Sequence, residues 1–196
     1  MRILTVSDII VPRLYPVSDR EALGPIDLVV ACGDLPPEYL EYLTHIFNVP
    51  LFFVKGNHDI RFAKQAPRGC TDLNRRILIF QGRRFLGLEG SMWYNGGPYQ
   101  YTEKQMKRHI RMLRLPLWWR RGVDVVVTHA PPLGIQDGPD LCHRGFACFR
   151  SLIHKYRPRF FLHGHIHAVF RNAEDRMTLL NNTRIINTYG HHILDI

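Results

Sequence analysis

The sequence predicts an α/β domain, and three observations carry that expectation. Short runs of Val, Ile, Leu and Phe alternate with amphipathic or loop segments along the whole chain. At 196 residues, 45% of them hydrophobic and 22% charged, the chain is long enough to bury a core without staples. No internal repeat, linker or low-complexity stretch interrupts it, so one domain over residues 1–196 is expected.

The elements come in this order. Ile3–Val6, Leu28–Ala31 and Leu51–Val54 are brief and apolar, and each reads as a buried strand. Pro37–Phe47 carries Leu40, Leu43 and Phe47 on one stripe and reads as a crossover helix. Ile77–Phe80 and Phe85–Leu88 read as a hairpin joined through Gln81-Gly82-Arg83. Thr102 is a helix-cap residue, followed by Glu103 and by Met106, Ile110 and Leu113 at helical spacing. The opposite face of that helix carries Lys104, Lys107, Arg108 and Arg111, and Pro116 ends or kinks it. Val123–Val127 is a further strand. Arg144–Tyr156 reads as a second amphipathic helix, with Phe146, Phe149, Ile153 and Tyr156 toward the core and Pro158 closing it. The tail then alternates in short strands: Phe160–Leu162, Val169–Arg171, Met177–Leu180, Arg184–Asn187 and His192–Leu194.

Composition narrows the setting. No run of 18 apolar residues is present, so neither a membrane span nor a membrane partner is expected. The first residues enter an apolar run directly, which leaves no room for a cleaved leader. Cys32, Cys70, Cys142 and Cys148 form no C-x-x-C pair, and free thiols in a cytoplasmic protein are expected. The net charge is +9. Between Arg75 and Arg121 there are eleven Lys and Arg against Glu89 and Glu103, so this segment holds the whole excess. Such a cluster either guides an anionic substrate or nucleic acid, or is a solvated helix face with scattered loop charges.

The informative pattern lies in the polar residues placed directly after the apolar runs. Val6 leads to Ser7-Asp8, Cys32 to Gly33-Asp34, and Val54 to Lys55-Gly56-Asn57-His58-Asp59. Val127 leads to Thr128-His129, and Leu162 to His163-Gly164-His165-Ile166-His167. Five strands thus deliver carboxylates, an amide and imidazoles just past their carboxyl ends, where open α/β sheets place ligands. This donor set suits borderline divalent ions, manganese foremost, with iron, zinc, nickel or cobalt as alternatives. His165 and His167 stand two apart, a spacing that can give one imidazole to each of two ions. Asp59 reads either as an orienting partner of His58 or of a ligand, or as a surface residue.

The ordered set D…GD…GNHD…TH…GHIH spans nearly the whole chain and resembles that of the calcineurin-like metallophosphoesterases. The resemblance implies a four-layer α/β/β/α sandwich of two mixed sheets between helices. It further implies that Asp8, Asp34 and His167 bind a first ion. Asp34, Asn57, His129 and His165 would bind a second, with Asp34 bridging. His58 would stand unligated beside the phosphorus, stabilising the transition state or protonating the leaving oxygen. The segments Thr128–Gly134 and Gly87–Glu103 resemble small stand-alone members of that family.

One position departs from the pattern. The family's first motif is usually D-x-H, whereas here it is Asp8-Ile9-Ile10, and Ile10 offers no lone pair. The first site therefore needs water or another side chain and is expected to be labile, while the second keeps all four ligands. His143 is a candidate replacement ligand; His143 and Arg144 are equally candidates for a structural or phosphate-contacting role. The resulting expectation is a hydrolase acting on small-molecule phosphoesters, a phosphodiesterase more than a phosphatase, using a metal-activated water. The loop from Ser91 to Tyr101 carries four aromatic residues, which either stack on a nucleobase or pack the loop itself. Two alternatives stand beside that reading: a nuclease using the basic 75–121 segment, and a non-catalytic scaffold on the same fold.

Overall fold

The computed structural model describes residues 1–16 and 23–196. In chain order the strands and helices are β1 (Arg2–Ser7), β2 (Leu28–Ala31), α1 (Pro37–Phe47), β3 (Leu51–Phe53), β4 (Cys70–Asp72), β5 (Ile77–Phe80), β6 (Arg83–Leu88), β7 (Ser91–Met92) and β8 (Gln100–Tyr101). Then come α2 (Glu103–Met112), α3 (Arg114–Trp119), β9 (Val125–Thr128), α4 (Ala147–Tyr156), β10 (Phe160–His163), β11 (Met177–Leu180), β12 (Thr183–Asn187) and β13 (Gly190–Asp195).

Two mixed sheets form the centre. One has the order β13-β1-β2-β3-β4 and the other β11-β12-β10-β9-β6-β5. β1 to β4 run parallel, as do β12, β10, β9 and β6; β13, β11 and β5 are antiparallel additions at the edges. Alternation along the strands sorts their side chains into layers. Leu4, Val6, Val29, Ala31, Leu51 and Phe53 pack with Leu40, Leu43 and Phe47 of α1. Ile3, Leu28, Val30 and Phe52 face the other way, against Phe85, Val125, Val127, Phe160 and Leu162 of the second sheet. The outer face of that sheet, through Leu86, Val126, Phe161 and Ile185, packs on Met106, Leu117, Phe149 and Ile153 from α2, α3 and α4. The order of layers is helix, sheet, sheet, helix, as expected.

Local chemistry sets the helix ends. Pro37 starts α1 at a position where its missing N–H costs nothing, and Asn48 closes it in the left-handed region at φ 52. Thr102 and Gln105 form a reciprocal capping box at the start of α2. α2 breaks at Leu113, and Pro116 falls in the first turn of α3, so the expected interruption is found as a second short helix.

Two expectations need correction. Residues Val169–Arg171 form no strand, and Val169 is 96% exposed; alternation there has no neighbouring strand to pair with. The last helix begins at Ala147 rather than Arg144. Its first free N–H groups are taken by α2, because Glu103 accepts from Ala147 N at 3.0 Å and Cys148 N at 2.8 Å. That carboxylate suits the positive end of the helix, and it leaves His143 and Arg144 in the preceding loop.

Phe149 is fully buried between Phe146 and Phe161, with ring centroids 5.0 and 5.6 Å away. Phe149→Ala should cost about 3–5 kcal/mol of stability, read from urea unfolding, whereas Thr102→Ala at the helix cap should cost about 1 kcal/mol.

Candidate metal centre

The two sheets meet at the carboxyl ends of β1, β2, β3, β9 and β10, and the turns after these strands bring the polar residues together. Asp34, His129 and His165 each offer a ligand atom, all within 4.8 Å of one another. Nε2 of His129 stands 3.2 Å from Asp34 Oδ2 and 3.1 Å from Asn57 Oδ1. Its Nδ1–H donates to the Cys32 carbonyl at 2.8 Å, which fixes the ring and turns Nε2 inward. Asn57 is oriented in turn by Tyr94, whose hydroxyl accepts from Nδ2 at 3.2 Å. His165 donates from Nε2 to the Cys142 carbonyl at 2.7 Å, leaving Nδ1 as its free lone pair.

Asp8 and His167 stand alongside. Both Asp8 oxygens accept from His165 N, at 3.0 and 3.1 Å, and Oδ1 lies 3.7 Å from His167 Nε2. The Asp8 carboxylate is fully buried, whereas the His167 side chain is 60% exposed and stacked on Tyr189 at 4.8 Å. Ile10, which stands where a fourth donor to the first site is expected, is exposed. His143 does not fill that gap: its Nδ1 pairs with Asp140 at 2.8 Å, and its ring lies 5.2 Å from that of His165, beside the tighter group. Arg144 is exposed. His58 donates its backbone N–H to Asp34 Oδ1 at 2.8 Å and carries an exposed side chain.

The surrounding backbone is held under constraint. Asp8, Asp34 and His165 all lie in the left-handed region, at φ 68, 58 and 68, a conformation that costs on the order of 1–3 kcal/mol for each non-glycine residue. Buried Asp59 offsets part of this by accepting from the N–H groups of Asp34 at 2.8 Å, Leu35 at 3.1 Å and Gly56 at 2.7 Å. It thus fastens the turn after β2 to the turn after β3, and orients Asp34 through the backbone rather than lying at the surface. Gly56 permits the closest approach: a Cβ there would overlap the Asp34 carboxylate and meet His129 Cε1 at 2.7 Å.

Electrostatics agree with a cation in this cluster. Burial works against charge on both Asp34 and His129, but their mutual attraction outweighs it. Asp34 is held down to about 2, helped by the His58 N–H, and His129 is raised to about 9. Nε2 of His129 faces two acceptor oxygens, so a proton occupies a position that a divalent ion would otherwise satisfy. His165 is pushed down to about 4 by burial and by His129, and is neutral as a ligand must be. Burial, aided by the nearby Asp34 charge, pushes Asp59 up to about 7 against the pull of the Gly56 and Asp34 N–H groups. The donor set, its buried carboxylates and the fixed imidazole tautomers therefore fit divalent metal ions. The orienting carbonyls of Cys32 and Cys142 carry no signal in residue type, and sequence reading missed them. Tyr94 was legible only as one aromatic residue of its loop.

The model of the calcineurin-like phosphoesterase family matches residues 1–169, and the chain belongs to that family. TT1561 of Thermus thermophilus superposes with a TM-score of 0.67 at 15% identity, over 96% of this chain and 89% of its own. GAP50, described as the anchor in the inner membrane complex of Plasmodium, gives 0.56 at 12% identity over 95% and 70%. A further Thermus thermophilus protein gives 0.51 at 18% identity over 95% and 75%. At these identities the likeness is one of fold. No match was found among curated proteins.

Because His129 is protonated below about pH 9 in the metal-free protein, ligation must release that proton. Manganese affinity should rise from pH 7 to about pH 9 and then flatten, with proton release read by calorimetry in buffers of different ionisation enthalpy. Gly56→Ala should abolish tight binding while the far-ultraviolet circular dichroism stays unchanged.

Proposed function

We propose that this member of the calcineurin-like phosphoesterase family hydrolyses phosphodiesters at a two-cation centre formed by Asp8, Asp34, Asn57, His129, His165 and His167. The observation that carries the reading is the gathering of Asp34, His129 and His165 donor atoms within 4.8 Å at the mouth of two sheets. Divalent cations bound there supply an activated water and offset phosphoryl charge. Asp34 is the donor common to both halves, with Oδ1 held by the His58 N–H and Oδ2 turned to His129. Asn57 presents Oδ1 because Tyr94 holds its amide nitrogen. The His58 ring projects into solvent beside Asp34, where it can give a proton to the departing oxygen.

The two halves differ in completeness. Asn57, His129 and His165 are buried beside the partly buried Asp34, and this set should hold its ion firmly. The other half has the open pair of Asp8 and His167 and lacks a donor at Ile10, so an ion held there would exchange more readily than its neighbour. Manganese is the leading candidate metal.

The aromatic loop supports an aryl or nucleoside portion in the substrate. Tyr101 is engaged by Glu89 at 2.6 Å and Tyr99 lies over Lys55 at 5.0 Å. Trp93, next to Tyr94, keeps 51% of its surface exposed and remains free to stack. A nuclease reading draws on the same exposed ring, but not on the basic helices. Arg84 donates to the Arg120 carbonyl at 2.7 Å and pairs with Asp124 at 2.8 Å. The end of α3 is thereby fixed at the start of β9, whereas His129 lies just beyond the finish of that strand. The scaffold reading rests on Ile10 alone.

His58→Ala should lower turnover of an aryl phosphodiester by roughly 10²- to 10⁴-fold with unchanged manganese content by elemental analysis; equal loss of both would remove His58 from the proposed role. Asp34→Asn serves as the inactive control. A protein inert with Mn, Co, Ni, Zn and Mg on diesters, monoesters, DNA and RNA would leave the scaffold reading standing.

A further inference from the structure

Three stripes run along α2 and α3. Met106, Leu113 and Leu117 are buried in the core beneath the second sheet. Lys104, Lys107, Arg108, Arg111 and Arg114 border a groove of about 460 Å³ between α2 and α4, with Lys155 on its other side. Beyond the groove, Met112, Leu115, Trp118 and Trp119 protrude with 64%, 68%, 75% and 79% of their surfaces exposed. Among the described residues, none of these cations has a carboxylate partner within ion-pair distance.

Both outer stripes stand largely outside the core. Unpaired like charges repel one another, and two exposed indoles with two exposed aliphatic chains form an apolar patch of the kind that marks a docking surface. Its arrangement selects the partner. A surface tracking a nucleic-acid strand interleaves aromatic rings with cations along the backbone path. Here Arg114, Trp118 and Arg121 share one recess, but two of the four protruding apolar residues, Met112 and Leu115, have no ring to stack on a base. Cations beside exposed Trp, Leu and Met side chains match the interface of a bilayer, where indoles settle at the headgroup level and Lys or Arg meet lipid phosphates.

We propose that the α2–α3 edge docks this protein peripherally on bilayers containing anionic phospholipids. Leu115, Trp118 and Trp119 enter the headgroup region, and the cations of α2 and α3 lie on lipid phosphates. No described helix is long and apolar enough to cross a membrane, and docking of this kind needs none. The proposal departs from the expectation of no membrane partner, which rested only on the lack of a spanning run. The proposal is independent of the metal centre.

Co-sedimentation of the full-length protein with phosphatidylcholine vesicles, with and without phosphatidylserine and in the presence of chelator, tests it. Binding should require phosphatidylserine and weaken as salt rises. It should fall on the order of tenfold or more in Lys107→Glu/Arg111→Glu and in Trp118→Ser/Trp119→Ser, two double variants whose exposed positions leave thermal unfolding unchanged. In a Trp93→Phe background the remaining indole emission should shift to the blue on anionic vesicles only. No sedimentation with anionic vesicles, equal binding to neutral ones, or undiminished binding of the double tryptophan variant would each overturn the proposal. So would tight binding of a single-stranded oligonucleotide by a protein that ignores vesicles.

Discussion

The hydrogen bond from His129 Nδ1 to the Cys32 carbonyl is the contact on which the centre depends. His129 follows β9 in one sheet and Cys32 follows β2 in the other, so this 2.8 Å link fastens the two sheets at their open ends. It also decides the tautomer: with Nδ1 committed, Nε2 must face Asp34 and Asn57. His165 repeats the device in mirror fashion, committing Nε2 to the Cys142 carbonyl and freeing Nδ1. Two imidazoles are thus presented through different nitrogens, each held by a main-chain oxygen that no substitution can remove without moving the chain.

Order before binding is the second theme. Three donor residues occupy left-handed backbone positions that glycine would adopt more cheaply. A side chain is required there, and the structure holds it with directed hydrogen bonds: Asp8 N to the Gly33 carbonyl at 3.1 Å, Asp34 N to Asp59, and His165 N to Asp8. Beneath them, the Thr188 hydroxyl donates to the His163 carbonyl at 2.9 Å and lies 3.0 Å from Ser7 Oγ, a buried polar seam joining the ends of β1, β10 and β12. Ligands positioned in this way lose little freedom when an ion arrives.

Most of this was legible in the residues, for identifiable reasons. Buried parallel strands read as continuous apolar runs, so β1, β2, β3, β9 and β10 announced themselves, and each donor stood directly after one. The strands β4, β7 and β8 have only two or three residues each and carry no period to detect. The start of α4 was misplaced because its cap, Glu103, comes from 44 residues away, and no local rule reads such a partner. Residues 169–171 alternate like a strand but have no neighbour. Asp59 has the residue type of either a surface charge or a clamp, and only its burial separates the two. The missing donor at Ile10 was visible at once, whereas the open geometry of Asp8 with His167 depends on a tertiary stacking partner, Tyr189.

Strand β9 has one further consequence. Its four residues separate Asp124, which anchors the tryptophan-bearing corner through Arg84, from His129 at the opposite rim, a span of roughly 16 Å at the usual rise. Chemistry and attachment are therefore written at two poles of one rigid rod. A lineage could alter either pole without disturbing the other, and a copy resting on its α3 corner would turn its reactive rim toward the aqueous phase.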